Sequence, residues 1–335
     1  MKSGMIKFLA ISFLSVMILA GIVFIYIQNQ DQTNQGPLEK LKVGVGKTAV
    51  LVYVAQEQGF FAENGLDVTI DLFNAGKLAM DAMLNGEVDI ATASFSVLVS
   101  HSFDRNDINT FGAIATHQIK EFIARKDHGI TQANNIKGKK IGVTKGSGGE
   151  AALGRFLVFN GLSFQEVEIE DLKPAEIEEN IINGEIDAAL VWEPHAFNIK
   201  KALGDKVVSW PGDSDQDSTF LLISKNEWIT AYPSKAERFL TSLLQAEQYV
   251  KSNDKDTQLF VIELFNYDPD YLEAVWEKYT YSVSLSQELI LAMEDEARWR
   301  IENHLTDKTV IPNYLDFIFT DPLAAIKPEA ITVIN

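Results

Sequence analysis

Gly146-Ser147-Gly148-Gly149, where an apolar strand pattern gives way to a helical one, has the composition of an anion cradle. Glycine lets backbone amides approach a ligand, a helix start aims its N–H groups outward, and Ser147 adds a donor, which suits a carboxylate or sulfonate. A plain turn with a capping serine reads the same way, and Glu150 in the first helical turn could itself occupy that helix end. The run lacks both the lysine-then-hydroxyl order of a phosphate loop and the dinucleotide spacing, so no nucleotide and no other cofactor is expected. Trp192 and Glu193 end another apolar strand pattern, offering a stacking wall and a hydrogen-bond acceptor for a ligand N–H or amine, or else a buried ring beside a solvated carboxylate.

Catalytic chemistry is harder to assemble. His101, His117, His128, His195 and His304 are scattered, with no spacing that sets two on one helical face as metal ligands. No nucleophile elbow occurs. The chain has no cysteine, which excludes disulfides, thiolate nucleophiles and zinc–thiolate sites. No catalytic residue and no metal site is therefore expected, and the chain reads as a binding protein rather than an enzyme. His117, His195 and Glu193 are the acid–base groups that an enzyme reading would have to use.

These residues are positioned by a duplication. Asn85-Gly86-Glu87-Val88-Asp89 returns 98 residues later as Asn183-Gly184-Glu185-Ile186-Asp187, and Lys42-Val43-Gly44-Val45 returns at the same offset as Lys140-Ile141-Gly142-Val143. Asn64-Gly65-Leu66 and Asn160-Gly161-Leu162 echo between them. So long a period describes two similar lobes, not a solenoid, and places a cleft between them. Asp89 and Asp187 are then turn residues entering a strand, not a catalytic pair.

The pattern predicts an α/β fold in which each lobe is a mostly parallel sheet flanked by helices. The first unit reads as strand 41–45, helix 48–61, strand 68–72, helix 78–84 and strand 88–93; the second as strand 140–143, helix 150–159, strand 167–172, helix 175–182 and strand 186–191. Segments 111–116, 121–125 and 218–224 read as strands at the passages between lobes. A helical C-terminal tail follows at 234–251, 257–265, 270–279 and 286–303, packing mainly on the first lobe, with Trp276 and Trp299 as core. The expected division is 39–117 plus 225–335 for lobe one and 118–224 for lobe two. Ligands of parallel sheets bind beyond the carboxyl ends of strands. The duplication puts Lys47 and Thr48, Ser94 and Phe95, Gly146, Ser147 and Gly148, and Trp192 and Glu193 at those ends.

Charge and the N-terminus narrow the setting. With 47 acidic against 29 basic residues and a formal charge of −18, the chain is not expected to bind nucleic acid. Residues 8–27 are uncharged, nearly all apolar and long enough to span a bilayer, and Lys2 and Lys7 precede them. The positive-inside rule then exports the rest of the chain. Residues 1–27 are read as a signal anchor or signal peptide and 28–38 as a polar linker, with an uncleaved membrane tether preferred.

The run Tyr53-Val54-Ala55-Gln56-Glu57-Gln58-Gly59-Phe60-Phe61-Ala62-Glu63-Asn64-Gly65-Leu66-Asp67-Val68 is followed by Asn85 to Asp89, by Ile136-Lys137-Gly138-Lys139-Lys140-Ile141-Gly142-Val143, and by Trp192-Glu193-Pro194. Together, in this order, they resemble the nitrate/sulfonate/taurine-type solute-binding proteins of ABC importers. Thiamine-precursor-binding and pyrimidine-synthesis proteins share the pattern. The resemblance covers about 41–224 and implies a type II periplasmic-binding fold that closes on a small ligand. It also implies an extracytoplasmic location, and an ABC permease with its ATPase as partners. It would set the ligand against Gly46 to Thr48, Ala75-Gly76, Ser94 to Ser96, Thr116-His117, Gly146 to Gly148 and Trp192-Glu193. Ala49 to Val52 and His195 depart from the family's usual residues, so the ligand need not be one of the best-known ones. The expectation is an importer's substrate-binding protein for a sulfonate, nitrate, taurine or pyrimidine-precursor ligand. The alternatives are a lyase or pyrimidine-forming enzyme on the same fold, and a tethered sensor.

Overall fold

Two sheets carry the chain in this computed structural model, which describes residues 37–212 and 217–334. The apolar segment 8–27 lies outside the described residues, and no helix among those described is long and apolar enough to cross a membrane.

The first repeat builds β1 (Glu39–Val45), α1 (Val50–Glu57), α2 (Phe60–Glu63), β2 (Leu66–Leu72), α3 (Gly76–Leu84) and β3 (Ile90–Ser94). The single helix expected over 48–61 is two, because Gly59 takes a φ of +77° and breaks it. Helix α4 (Phe95–Ser102) leads to β4 (Ile108–His117), and β5 (Lys120–Arg125) opens the second sheet. The second repeat supplies β6 (Lys140–Val143), α5 (Gly148–Phe159), β7 (Glu168–Asp171), α6 (Pro174–Asn183) and β8 (Ala188–Trp192). Then come α7 (His195–Leu203), β9 (Val207–Pro211) and β10 (Ser218–Lys225).

The repeat is structural down to its hydrogen bonds. Asp89 Oδ2 accepts from Lys42 N–H at 2.8 Å and Asp187 Oδ2 accepts from Lys140 N–H at 2.9 Å. The reciprocal bonds, Asp89 N–H to Lys42 O and Asp187 N–H to Lys140 O, are both 2.9 Å. Gly86 and Gly184, at φ +79° and +80°, stop the helices that precede them. Each aspartate thus clips the entry of its own strand to the N-terminal half of the parallel neighbour, as a scaffold residue would.

With β11 (Tyr279–Ser284) from the C-terminal tail, the sheets run β11-β4-β10-β3-β1-β2 and β7-β6-β8-β5-β9. Parallel pairs join the duplicated strands, β1 to β3 and β6 to both β7 and β8, while the crossing strands β4, β5, β9 and β10 pair antiparallel. Strand β10 pairs with β3 and β4 along its length. Residues 218–224 therefore belong to the first sheet, and the segment assigned to lobe two ends earlier than 224. Apolar residues alternate across the second sheet: Phe122, Ala124 and Leu190 join one core cluster, Ile123, Ala189 and Val191 the other. Burial on both faces explains the unbroken apolar run at 188–191.

The tail comprises α8 (Asn226–Ala231), α9 (Pro233–Ser252), α10 (Asp254–Phe265), α11 (Pro269–Val275), β11 (Tyr279–Ser284), α12 (Gln287–Glu302) and α13 (Asp321–Ile326). It is not all helical. The helix expected over 270–279 ends at Val275, and the period-two pattern Tyr279, Tyr281, Val283 forms an edge strand against β4. Helices α9 and α12 bury Phe239, Leu240, Leu243, Leu289, Ile290 and Met293 in the first lobe's core. Both sheets lie in one compact unit, Lys40–Asn335.

Candidate functional site

A cavity of about 280 Å³ opens where the carboxyl ends of β1, β3, β6 and β8 converge. At about 30 Å³ per water it has room for roughly nine, the scale of a small organic molecule. Its wall includes Lys47, Thr48, Gly76, Ser94 and His117, then Ser147, Gly148, Trp192 and Glu193. The structure thus brings those nine expected residues together. Phe95 is not with them: it is 2 % exposed and packs in the first core. Thr116 lines a different cavity of about 630 Å³ beside Glu121 and Trp210. Gly146 lines a third, of about 1010 Å³, with Glu150 and Arg300.

The glycine turn is built as a cap. Ser147 Oγ accepts Gly149 N–H at 3.0 Å and donates to Thr144 O at 2.6 Å, which commits the hydroxyl to its own helix. Glu150 Oε2 accepts Gly146 N–H at 2.9 Å. What remains turned toward the cleft is Gly148. A Cβ there would stand 3.1 Å from Lys120 Cε, 3.3 Å from Ser94 Oγ and 3.4 Å from Ser96 Oγ, so two lobes and a cation meet at a residue without a side chain.

Trp192 stands half-buried at the end of β8, where its ring approaches Gly149. Glu193 is 3 % exposed, and its Oε2 accepts Phe197 N–H at 3.0 Å, holding the start of α7. The carboxylate expected to await a ligand therefore already has a backbone partner. Burial pushes its pKa up, and the neighbouring Glu121 charge adds to this against the pull of Lys200, Phe197 N–H and Lys278.

Lys120, Phe73, Asn74, Ile119 and Phe220 also line the cavity and were not among the expected site residues, and His195, named for the enzyme alternative, lines it with them. Lys120 is the most consequential. It opens β5, is 7 % exposed, and its ammonium donates to Ser218 Oγ on β10 of the other sheet. Its only trace in the sequence is its position just past the Thr116-His117 passage, since a lysine at a strand start ordinarily reads as solvated. Lys47 lies over the rings of Phe265 and Tyr267, 5.4 and 5.0 Å from their centroids, and burial lowers its pKa. Among the described residues, Lys47, Lys77 and Lys120 line the cavity against one carboxylate, that of Glu193. On a chain of net charge −18, that gathers positive charge where the rest is acidic. Among the described residues no group of His, Asp and Glu could hold a metal ion.

The NMT1/THI5-like family profile matches residues 48–257. The chain belongs to that family. It is 24% identical over 318 residues to the "Putative aliphatic sulfonates-binding protein" of Bacillus subtilis, covering 92% of this chain and 93% of that one. Its structure superposes on the alkanesulfonate-binding protein SsuA from Xanthomonas axonopodis pv. citri bound to MOPS with a TM-score of 0.75, at 19% identity, over 85% of this chain and 99% of that one. The desulfurization enzyme DSZB has the same fold, with a TM-score of 0.62 at 15% identity over 86% and 98%. The architecture of this family member is the type II periplasmic-binding fold expected from its sequence.

Proposed function

We propose that the chain is the extracytoplasmic solute-binding component of an ABC importer, and that its interlobe cleft captures a small organic anion of the sulfonate class. The observation that carries the reading is the convergence of Lys120, Ser94 and the Gly148 backbone at one point of a cavity of about 280 Å³. An anion seated there adds charge-assisted hydrogen bonds to Lys120, each worth about 1.5–3 kcal/mol. Trp192, Phe73 and Phe220 offer apolar surface for an alkyl or ring portion. Similar proteins named for sulfonates support the class. Binding works by lobe closure without chemical change, and residues 8–27 tether the domain to the membrane beside its permease and ATPase.

Isothermal titration of the purified full chain with ethanesulfonate, taurine, nitrate, a benzoate and an aminopyrimidine tests this. Saturable binding confined to the sulfonates is expected, and binding only of the aminopyrimidine would overturn the anion assignment.

A second reading, an enzyme on this fold, draws on His195 of the cleft wall, whose Nδ1 stands 2.6 Å from Glu178 Oε2. An oriented imidazole is what general-base chemistry needs. Turnover of a bound sulfonate, abolished by His195→Ala, would favour it.

A further inference from the structure

We propose that Arg300 and Glu296 on α12 are positioning residues for ligand capture, acting through Glu150 to hold the glycine turn against the first lobe. The inference rests on reading the cleft as the ligand site. Ser96, Glu150, Glu296 and Arg300 are 3, 5, 1 and 3 % exposed. Ser96 Oγ donates to Glu296 Oε2 at 2.6 Å. Arg300 stands one helical turn on, with Nε and Nη2 at 3.0 and 2.9 Å from Glu296 Oε1. Its Nη1 reaches Glu150 Oε2 at 3.4 Å, and that same oxygen accepts Gly146 N–H. The chain of contacts returns toward its start, because a Cβ on Gly148 would stand 3.4 Å from Ser96 Oγ.

Only one ion pair in this ring crosses from lobe to lobe. Glu296 and Arg300 share a helix and stay together in any lobe arrangement, whereas Glu150 belongs to the second lobe. A buried charge must be paired, so separating Arg300 from Glu150 is unfavourable unless water enters. Both residues line the cavity of about 1010 Å³, which gives water a route in as the lobes part. Trp299, beside Arg300 in sequence, presses on Gly154 of α5 and lies tilted against Phe164 at 5.8 Å between centroids. Helix α12 therefore grips the second lobe by a ring and an ion pair, and its charge is transmitted through one carboxylate oxygen to the turn that meets the ligand. A contact present only in the closed arrangement raises the closed population and so the apparent affinity.

The chain has no cysteine, so spin labels at Glu87→Cys and Glu179→Cys report lobe separation without background. In full-length protein without ligand, Arg300→Met is expected to deplete the short-distance population. It should also weaken ethanesulfonate binding about tenfold through faster release, with Arg300→Lys restoring most of both. Glu150→Gln should do the same, and the double variant should be no worse than either single one. Unchanged label distances in folded Arg300→Met protein, or additive effects of the two substitutions, would overturn the proposal. Should Arg300→Met fail to fold, Ser96→Ala breaks the ring without unpairing a charge and must move the distances the same way; no movement refutes the role. If ethanesulfonate fails to bind the unaltered protein, the ligand reading falls while the label distances still decide the positioning role.

Discussion

A Cβ on Gly148 would stand 3.1 Å from Lys120 Cε, so the glycine turn and the buried lysine share one wall of the cleft at a separation a few tenths of an ångström too short for a side chain at 148. Gly148→Ala must therefore displace Lys120 or Ser94. Overpacking of this kind costs about 1–3 kcal/mol, and the loss is expected in ligand affinity rather than in melting temperature, since the cleft can stay open. Calorimetric titration beside a thermal melt separates the two.

Lys120→Met removes the cation and keeps the stem. Losing a charge-assisted hydrogen bond worth about 1.5–3 kcal/mol predicts roughly 10- to 100-fold weaker anion binding. An uncharged ligand would keep its affinity, and the contrast between a sulfonate and its alcohol analogue is the measurement.

Gly154 meets Trp299 more closely still: a Cβ there would fall 1.7 Å from the indole ring. Gly154→Ala is expected to lower the unfolding free energy by about 1–3 kcal/mol, read by urea denaturation with tryptophan emission, and Trp299→Leu in the same chain should recover part of it.

Acid and base should shift binding in opposite directions. Burial raises the Glu193 pKa, so its proton is held more tightly in the folded chain than in the unfolded one. The stability it contributes is full below the unfolded value of 4.5 and is lost as pH rises through the raised folded value. Anion affinity should likewise improve as pH falls and Glu193 loses its charge, and Glu193→Gln should flatten that limb. At the alkaline end, burial lowers the Lys47 pKa, so affinity should decline before an ordinary lysine would titrate; Lys47→Arg should move the decline upward. Titrations across pH 5 to 10, an interval of about five units chosen around the ordinary carboxyl and lysine values, test both.

Asp89→Ala and Asp187→Ala should each destabilise the fold by about 1 kcal/mol, leaving Lys42 or Lys140 N–H without its side-chain acceptor, while anion affinity stays unchanged. Asp187→Ala should cost more, because Asp187 Oδ1 also pairs with His128 Nδ1 at 2.7 Å. Chemical denaturation of the two variants makes the comparison.

The duplicated phrases alone determined the two-lobed α/β plan, since a helix-stopping Asn-Gly and a strand-clipping Asp are local devices that act the same way wherever they recur. The loops at Lys47, Ser94, Ser147 and Trp192 followed from that plan, because parallel strands present their carboxyl ends on one side. What the tertiary structure alone decided is which groups of those loops are already satisfied and which meet. Ser147 and Glu193 turned inward to cap their own helices, Tyr279 left a helical pattern for a sheet edge, and Lys120 entered the cleft from a strand start that reads as solvated. The ring through Arg300 and Glu150 spans 150 positions, and no local spacing marks it. Side-chain partnership across lobes is set by how two sheets and a C-terminal helix pack, and packing is a property of the whole chain rather than of any window within it.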